Sequence, residues 1–341
     1  MEANFSNYSL YGIHNEAARF TWAGFATTTI LSGQIGSLII LGATIKYKAI
    51  KLHRFTVTII QHIAVCDMIS SLVLVTFLIS LLANKSILGE AICHFRSYLA
   101  FYSFPASLHL MAALTTSKYL LVKFPLNDGR WSKRRAHKLC FGIWIYCAIL
   151  PLMMLIVDKD DITFDYRDYA CRYRFSSAKW GILCPIIGTI LTVLPNLVVP
   201  TTTGLLIYEA RKVAQNQREN LRRQGLMTVI LTAVVFCLSV IPISLYIVLQ
   251  RFIVVKNPGF FHVYGYRFAM SALSINVMYN FYLYCMTVYS FRQFLTRFWV
   301  EKVRGMKQHR KIKRPSTYSS HSTQSTNYVV KSSTCDARSE M

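Results

Sequence analysis

The stretch Cys93–Pro125, CHFRSYLAFYSFPASLHLMAALTTSKYLLVKFP, decides how this chain is read. It opens on a cysteine and a polar collar, His94 and Arg96. It then runs from Ser97 to Ser117 without a charge and ends in Ser117-Lys118-Tyr119 and a basic loop. An uncharged run of that length crosses a bilayer as one helix. A cysteine able to form a disulfide at one end and cations at the other mark an outside and an inside.

Working outward, six more runs of the same kind appear. The seven spans are 20–45, 55–83, 97–117, 139–157, 180–208, 225–250 and 268–291. Lipid offers no partner to a bare peptide group, so each must be helical. Short connections make neighbours antiparallel, which predicts an all-α membrane protein, a seven-transmembrane helix bundle. The net charge is +23, with 53% of residues hydrophobic. In a soluble protein that basicity would suggest nucleic acid, but here the cations sit in the breaks between apolar runs. No nucleic-acid motif is present.

Orientation follows from Lys and Arg in the connections. The breaks at 46–54, 118–138, 211–223 and 292–314 hold 25 of the 38 cations, against 11 in the opposite set. The first set is therefore cytoplasmic, the N-terminus is outside, and the chain is expected in the plasma membrane. The sequons at Asn4, Asn7 and Asn84 all fall on the predicted outer face, as glycosylation requires. The only cysteines predicted there are Cys93 and Cys171. In an oxidising compartment a bridge between them is favoured over two free thiols. Cys66, Cys140, Cys147, Cys184, Cys237 and Cys285 lie within apolar runs and read as small hydrophobes.

After the last span, Phe291, Phe294, Leu295, Phe298 and Trp299 recur at helical spacing, flanked by Arg292, Arg297 and Lys302. This predicts a short amphipathic eighth helix at the inner interface, its cations toward anionic lipids. The domain organisation is an extracellular N-terminus over 1–19, a bundle over 20–291, an interfacial and basic segment over 292–314, and a disordered Ser/Thr-rich tail over 315–341.

Asp67 is the one carboxylate well inside a span, and an intramembrane acid is a functional candidate by default. Ser107, Asn276 and Asn280 can partner it. Two readings stand on chemistry alone: a polar cluster that joins helices, or a mid-membrane cation or proton site. Pro200 and Pro242 break backbone bonding inside spans and set kinks, static or hinged. His62 and His109 are single histidines within spans and read as interhelical hydrogen-bonders. No Ser/His/Asp, Cys/His or metal spacing points to an enzyme, and no cofactor motif is present.

These residues together resemble the rhodopsin-like (class A) G-protein-coupled receptors, over residues 20–300. Ile63-Ala64-Val65-Cys66-Asp67 is similar to the second-helix Leu-Ala-x-x-Asp. Cys93 and Lys118 are 25 residues apart, the family's interval from its outer cysteine to the centre of Asp-Arg-Tyr. Trp144 fits the fourth-helix tryptophan, and Pro200 and Tyr208 the fifth-helix pair. Phe236 and Pro242 match the ends of Phe-x-x-Cys-Trp-x-Pro. Asn276, Asn280 and Tyr284 fit the pattern ending in Asn-Pro-x-x-Tyr, and Phe291-Arg292-Gln293-Phe294 the start of the eighth helix.

The resemblance implies a receptor that passes binding of an extracellular peptide or small molecule to a heterotrimeric G protein by outward movement of the sixth helix. A receptor kinase and arrestin would act on the tail. It implies that Asp67, Ser107, Asn276 and Asn280 hold a sodium ion. Leu108, Pro200 and Phe236 would form a packing switch, with Pro242 as the sixth-helix kink and Tyr208 and Tyr284 as inner-face tyrosines. Lys118, Tyr119 and Arg222 would meet the G protein. Ala100, Phe101, Phe104, Thr192, Asn196, Ile243, Ile247, Tyr266 and Met270 would line the ligand pocket. Ala100 and Ser274 replace the acid of amine receptors and the lysine of opsins.

Five departures bear on activity. Ser37 replaces the first-helix asparagine, Ser117-Lys118-Tyr119 replaces Asp-Arg-Tyr, Val240 stands for tryptophan, Phe281 for the seventh-helix proline, and Arg222 for a common acid. Two cations at Lys118 and Arg222 cannot form the inactive-state ion pair, which implies ligand-free signalling. A receptor-like scaffold that no longer couples, or a seven-helix transporter or channel, are the alternatives. The acidic residues Asp158, Asp160, Asp161, Asp165 and Asp168 are interspersed with five cations and read as a solvated outer loop.

Overall fold

A computed structural model describes residues 16–46, 53–83, 89–124, 132–157, 162–165, 170–173, 178–214, 220–252, 265–287, 291–298 and 300. Seven long helices account for nearly all of them. They are α1 (Glu16–Leu41, closed by a π-helical turn over Gly42–Lys46), α2 (Arg54–Ala83), α3 (Gly89–Lys123), α4 (Lys133–Val157), α5 (Ala178–Ala214), α6 (Asn220–Phe252) and α7 (Tyr266–Thr287). Each contains a predicted span or all but its last residues. Several run a turn or more beyond, because helix persists where water can satisfy its ends. Gly89 begins α3 at φ +73°, a backbone conformation open to a residue without Cβ.

The seven helices form the expected transmembrane bundle. α3 packs against α2, α4 and α5, and α7 packs against α6 and α1, closing the ring. The core includes Ile59, Ile60 and Ile63 of α2, Leu108, Leu110 and Met111 of α3, and Phe236 and Val240 of α6, all nearly without exposure. The opposite faces are also apolar. Leu31, Ile35 and Leu38 on α1, Ile145, Ile149 and Leu152 on α4, and Leu238, Ile241 and Leu245 on α6 all point outward. Helices that are hydrophobic all round belong in lipid, where burial against a core is not the only favourable environment. By length and composition, Arg19–Ile45, Arg54–Ala83, Lys133–Met153 and Ile186–Glu209 are apolar enough to cross a membrane among the described residues. α6 adds a shorter apolar stretch over Ile230–Tyr246, and α3 and α7 carry the serines and asparagines of the bundle's centre.

Two features differ from the sequence expectation. The connection between α4 and α5 holds an antiparallel hairpin, β1 (Ile162–Asp165) with β2 (Ala170–Tyr173), in which Phe164 faces Cys171 in register. Ile-Thr-Phe followed at a four-residue interval by Ala-Cys-Arg-Tyr has strand character, which the charge pattern of the loop obscures. β2 also packs against α3. The second difference lies at residues 291–298, which are helical as expected. Phe291 is completely buried, and Phe294 and Leu295 pack on the bundle core, so this face meets protein and not only lipid. Residues up to Leu295 form one compact unit and those from Thr296 a second. Trp299, Lys302 and the Ser/Thr-rich tail lie outside the described residues, as do the sequons.

α1 and α7 approach most closely where the seventh-helix proline is replaced. A Cβ placed on Gly36 would stand 2.5 Å from the Phe281 Cβ, so the glycine admits the aromatic ring. That ring meets Phe291 edge-on at 6.2 Å between centroids, and Tyr284 meets Phe291 at 6.5 Å. Phe281 thus ties α1, α7 and the start of the eighth helix together. Gly36→Ala should lower stability by about 1–3 kcal/mol through overpacking. In a Phe281→Gly background, which removes the Cβ the new methyl would strike, the same substitution should cost less, read as apparent Tm of the purified protein in detergent.

Candidate functional site

The polar centre of the bundle is built on Asp67, which α2 holds with 1% exposure. Ser107 of α3 donates through Oγ to Asp67 Oδ1 at 3.1 Å, and Asn280 of α7 donates through Nδ2 to Oδ2 at 2.7 Å. Asn280 Nδ2 also lies 3.5 Å from the main-chain oxygen of Asn276. Three helices therefore converge on one carboxylate. The side-chain oxygens of Asn276 and Asn280 are buried without a hydrogen-bond partner. Carboxylate, hydroxyl and amide oxygens form an all-oxygen donor set, the kind that suits a hard cation rather than a thiophilic metal. Two orphaned amide oxygens are the structural reason a small cation fits there. Among the described residues no cluster of three His, Cys, Asp or Glu side chains offers an alternative metal centre.

Further polar ties extend this centre. Ser70 Oγ donates to Ser103 Oγ at 3.0 Å, and Gln34 Nε2 donates to Ser71 Oγ at 2.6 Å and to the Met68 carbonyl at 3.0 Å. These residues were not singled out from sequence, because Ser and Gln within spans carry no periodic signal of their own. Tyr279 and Tyr284 are buried on α7, and the Tyr279 hydroxyl has no partner.

His62 is not a lone histidine. Trp144 Nε1 donates to His62 Nδ1 at 3.2 Å, which leaves the His62 proton on Nε2, and Nε2 lies 3.1 Å from His137 Nδ1. The chain Trp144–His62–His137 joins α2 to α4. His109 Nδ1 lies 2.9 Å from the Pro105 carbonyl within α3 and 4.0 Å from Cys147 Sγ of α4, so it too reaches a neighbouring helix.

The positions matched to a ligand pocket and a switch are distributed unevenly. Phe104 and Ile243 are core residues, Ala100 and Met270 pack against the core, and Phe101 is 38% exposed. Asn196 donates to Ser244 Oγ at 2.6 Å, joining α5 to α6, while its own side-chain oxygen is buried without a partner. Thr192 Oγ1 bonds back to the Gly188 carbonyl, and the side chains of Ile247 and Tyr266 lie outside the described residues. Leu108 and Phe236 share the core with Val240, and Pro242 lies inside α6. Pro200 is on the exposed side of α5, and Tyr208 is 66% exposed, so neither shares that core, whereas Pro195 is buried. Spacing along α5 is the same for either face, and only packing reveals the rotation.

At the predicted inner end, Lys118 is half-buried, and Tyr119 accepts a 3.0 Å hydrogen bond from Lys123 Nζ. The one ion pair among the described residues, Arg19–Glu16, is elsewhere on α1. The Arg222 side chain lies outside the described residues. Cys93 is disulfide-bonded at the start of α3, and the side chain of Cys171 is outside the described residues.

The family described as "7 transmembrane receptor (rhodopsin family)" matches residues 36–295. The chain belongs to that family. Its relatives include rat purinoceptor 4, 24% identical over 190 residues, which are 53% of this chain and 52% of the relative. The human S-geranylgeranyl-glutathione receptor is 25% identical over 204 residues, 55% of each chain. Mouse G-protein coupled receptor 183 is 22% identical over 275 residues, 74% of this chain and 72% of the relative. The chain thus spans about half the length of the first two relatives.

The Asp67 contacts make a definite prediction. Asn280→Ala leaves a buried carboxylate oxygen short of its donor and should destabilise by about 1–3 kcal/mol. Combined with Asp67→Ala, the loss should be less than the sum of the two single losses, because both act on one contact. Apparent Tm values of the four proteins test it.

Proposed function

We propose that this chain is a G-protein-coupled receptor that transduces binding of an extracellular small molecule or peptide into nucleotide exchange on a heterotrimeric G protein. The observation that carries the reading is the meeting of α2, α3 and α7 on Asp67 within a chain of this receptor family. An external ligand that prefers one arrangement of these helices shifts the inner surface with them. Outward movement of α6 would open a cleft bordered by Lys118, Tyr119, Tyr208, Arg222 and Tyr284. The names of two relatives, a purinoceptor and a receptor for S-geranylgeranyl-glutathione, support the small-molecule arm.

The remaining parts belong to the same proposal. Asp67, Ser107, Asn276 and Asn280 hold a sodium ion that favours the resting arrangement. Cys93 pairs with Cys171, a reading supported by β2, which carries Cys171, packing against α3. The ligand enters at the predicted outer end, among Phe104, Asn196, Ile243 and Met270. The protein sits in the plasma membrane with Asn4, Asn7 and Asn84 outside. Its tail is phosphorylated around Ser316, Thr317 and Ser319 and recruits an arrestin by the added negative charge.

Lys118 is a point donor where the family has a planar fork, and Arg222 repels it where an acid would pair with it. Receptor purified into nanodiscs and mixed with a panel of heterotrimeric G proteins should therefore accelerate exchange without ligand on at least one of them. Arg222→Glu should lower that basal rate and Lys118→Ala should change it. Exchange indistinguishable from empty nanodiscs across the panel, with both variants silent, would favour the non-coupling scaffold. Sodium, relative to a large organic cation at equal ionic strength, should raise the apparent Tm of the wild type but not of Asp67→Asn. Equal responses in the two proteins would sink the ion site.

A further inference from the structure

We infer that the predicted outer end of α1, α2 and α3 binds an acidic amphiphile, with its carboxylate or phosphate on Arg19 and its apolar body on Trp22, Phe77 and Leu78. Arg19 is a cation short of counter-charge among the described residues. The Arg19 side chain is 17% exposed, and its one ion-pair partner among the described residues, Glu16, stands 3.9 Å from Nη2 and is itself 81% exposed. Arg19 Nε is buried and has no hydrogen-bond partner among the described residues. The Phe20 ring, 5.5 Å from Cζ, adds a modest cation–π contact. A guanidinium drawn this far from water and held by one loose contact is destabilising until an anion completes it. The planar fork suits a carboxylate or phosphate taken in two parallel hydrogen bonds.

Beside this cation lies apolar surface distinct from the main core. Ala23 of α1 and Leu81 of α2 are buried together, and Trp22, Phe77 and Leu78 are partly buried around them. A second cation borders the same cluster, since Arg96 of α3 has its Cζ 5.8 Å from the Phe77 ring centroid. An aromatic and aliphatic patch edged by two arginines selects a molecule with an acidic head and a hydrophobic body. A bare inorganic anion uses only the charge, and a neutral lipid only the patch. The same chemistry is offered by a free fatty acid or lysophospholipid and by the headgroup of an anionic phospholipid in the leaflet. The site rests on this geometry and not on G-protein coupling, so the two readings fail separately.

The test uses the full chain in phosphatidylcholine nanodiscs, with radiolabelled oleate as probe. Saturable binding should be displaced by oleoyl lysophosphatidate but not by oleyl alcohol or inorganic phosphate. Arg19→Gln should weaken oleate by about 10- to 100-fold, the range of a lost bidentate ionic hydrogen bond. Glu16→Gln, which removes the carboxylate paired with Arg19, should tighten oleate by about two- to fivefold, a gain that misfolding cannot imitate. Nanodiscs containing phosphatidylglycerol identify the source. Weaker oleate binding there, in the wild type but not in Arg19→Gln, assigns the site to a leaflet lipid. Unchanged binding assigns it to the soluble amphiphile. Equal oleate affinity in wild type, Arg19→Gln and Glu16→Gln would overturn the proposal, as would displacement by phosphate as complete as by the lysophospholipid.

Discussion

One carboxylate governs the centre of this molecule. Asp67 stands in a helix that lipid surrounds on one side, where an acid without partners would be expelled or neutralised. The hydroxyl of Ser107 and the amide of Asn280 make its burial tolerable, and they come from two other helices. The rotation and depth of α2, α3 and α7 are thereby coupled. Shifting any one of them strips the acid of a donor. The side-chain oxygens of Asn276 and Asn280 are buried in the same cluster without a hydrogen-bond partner among the described residues.

Around this centre the bundle solves a problem particular to membranes. Apolar side chains gain little from leaving lipid for a protein core, so helices must be held by shape and by polar contacts. Both are present. Gly36 admits Phe281, and the ring in turn meets Phe291, so a close approach of α1 and α7 is locked by aromatic packing. Gln34 to Ser71, Ser70 to Ser103, Trp144 to His62 and Asn196 to Ser244 are hydrogen bonds from one helix to the next. α2, which touches four other helices, supplies Ser70, Ser71 and His62 to these bonds, and α3 supplies Ser103.

Much of this was legible in the residues. Seven uncharged runs require seven helices, and Asp67 with Ser107 and Asn280 is a short list of groups that must find one another. Other features were not. Pro200 and Tyr208 lie eight apart as the family resemblance asks, yet both are exposed, while Pro195 is inside. His62 looks solitary in the sequence because His137 is distant along the chain and lies outside any span. Phe291 belongs to a pattern that suits a membrane surface equally well, and it is buried completely against protein.

By itself the sequence determined the number of crossings, the basic face and the small set of polar groups that lipid would not tolerate alone. These follow from transfer energies, which depend on the composition of a segment and not on its neighbours. Which face of each helix turns inward was decided only by the tertiary structure. A helix apolar on every side has no preferred rotation until steric fit and a few hydrogen bonds choose one, and those contacts join residues far apart in the chain.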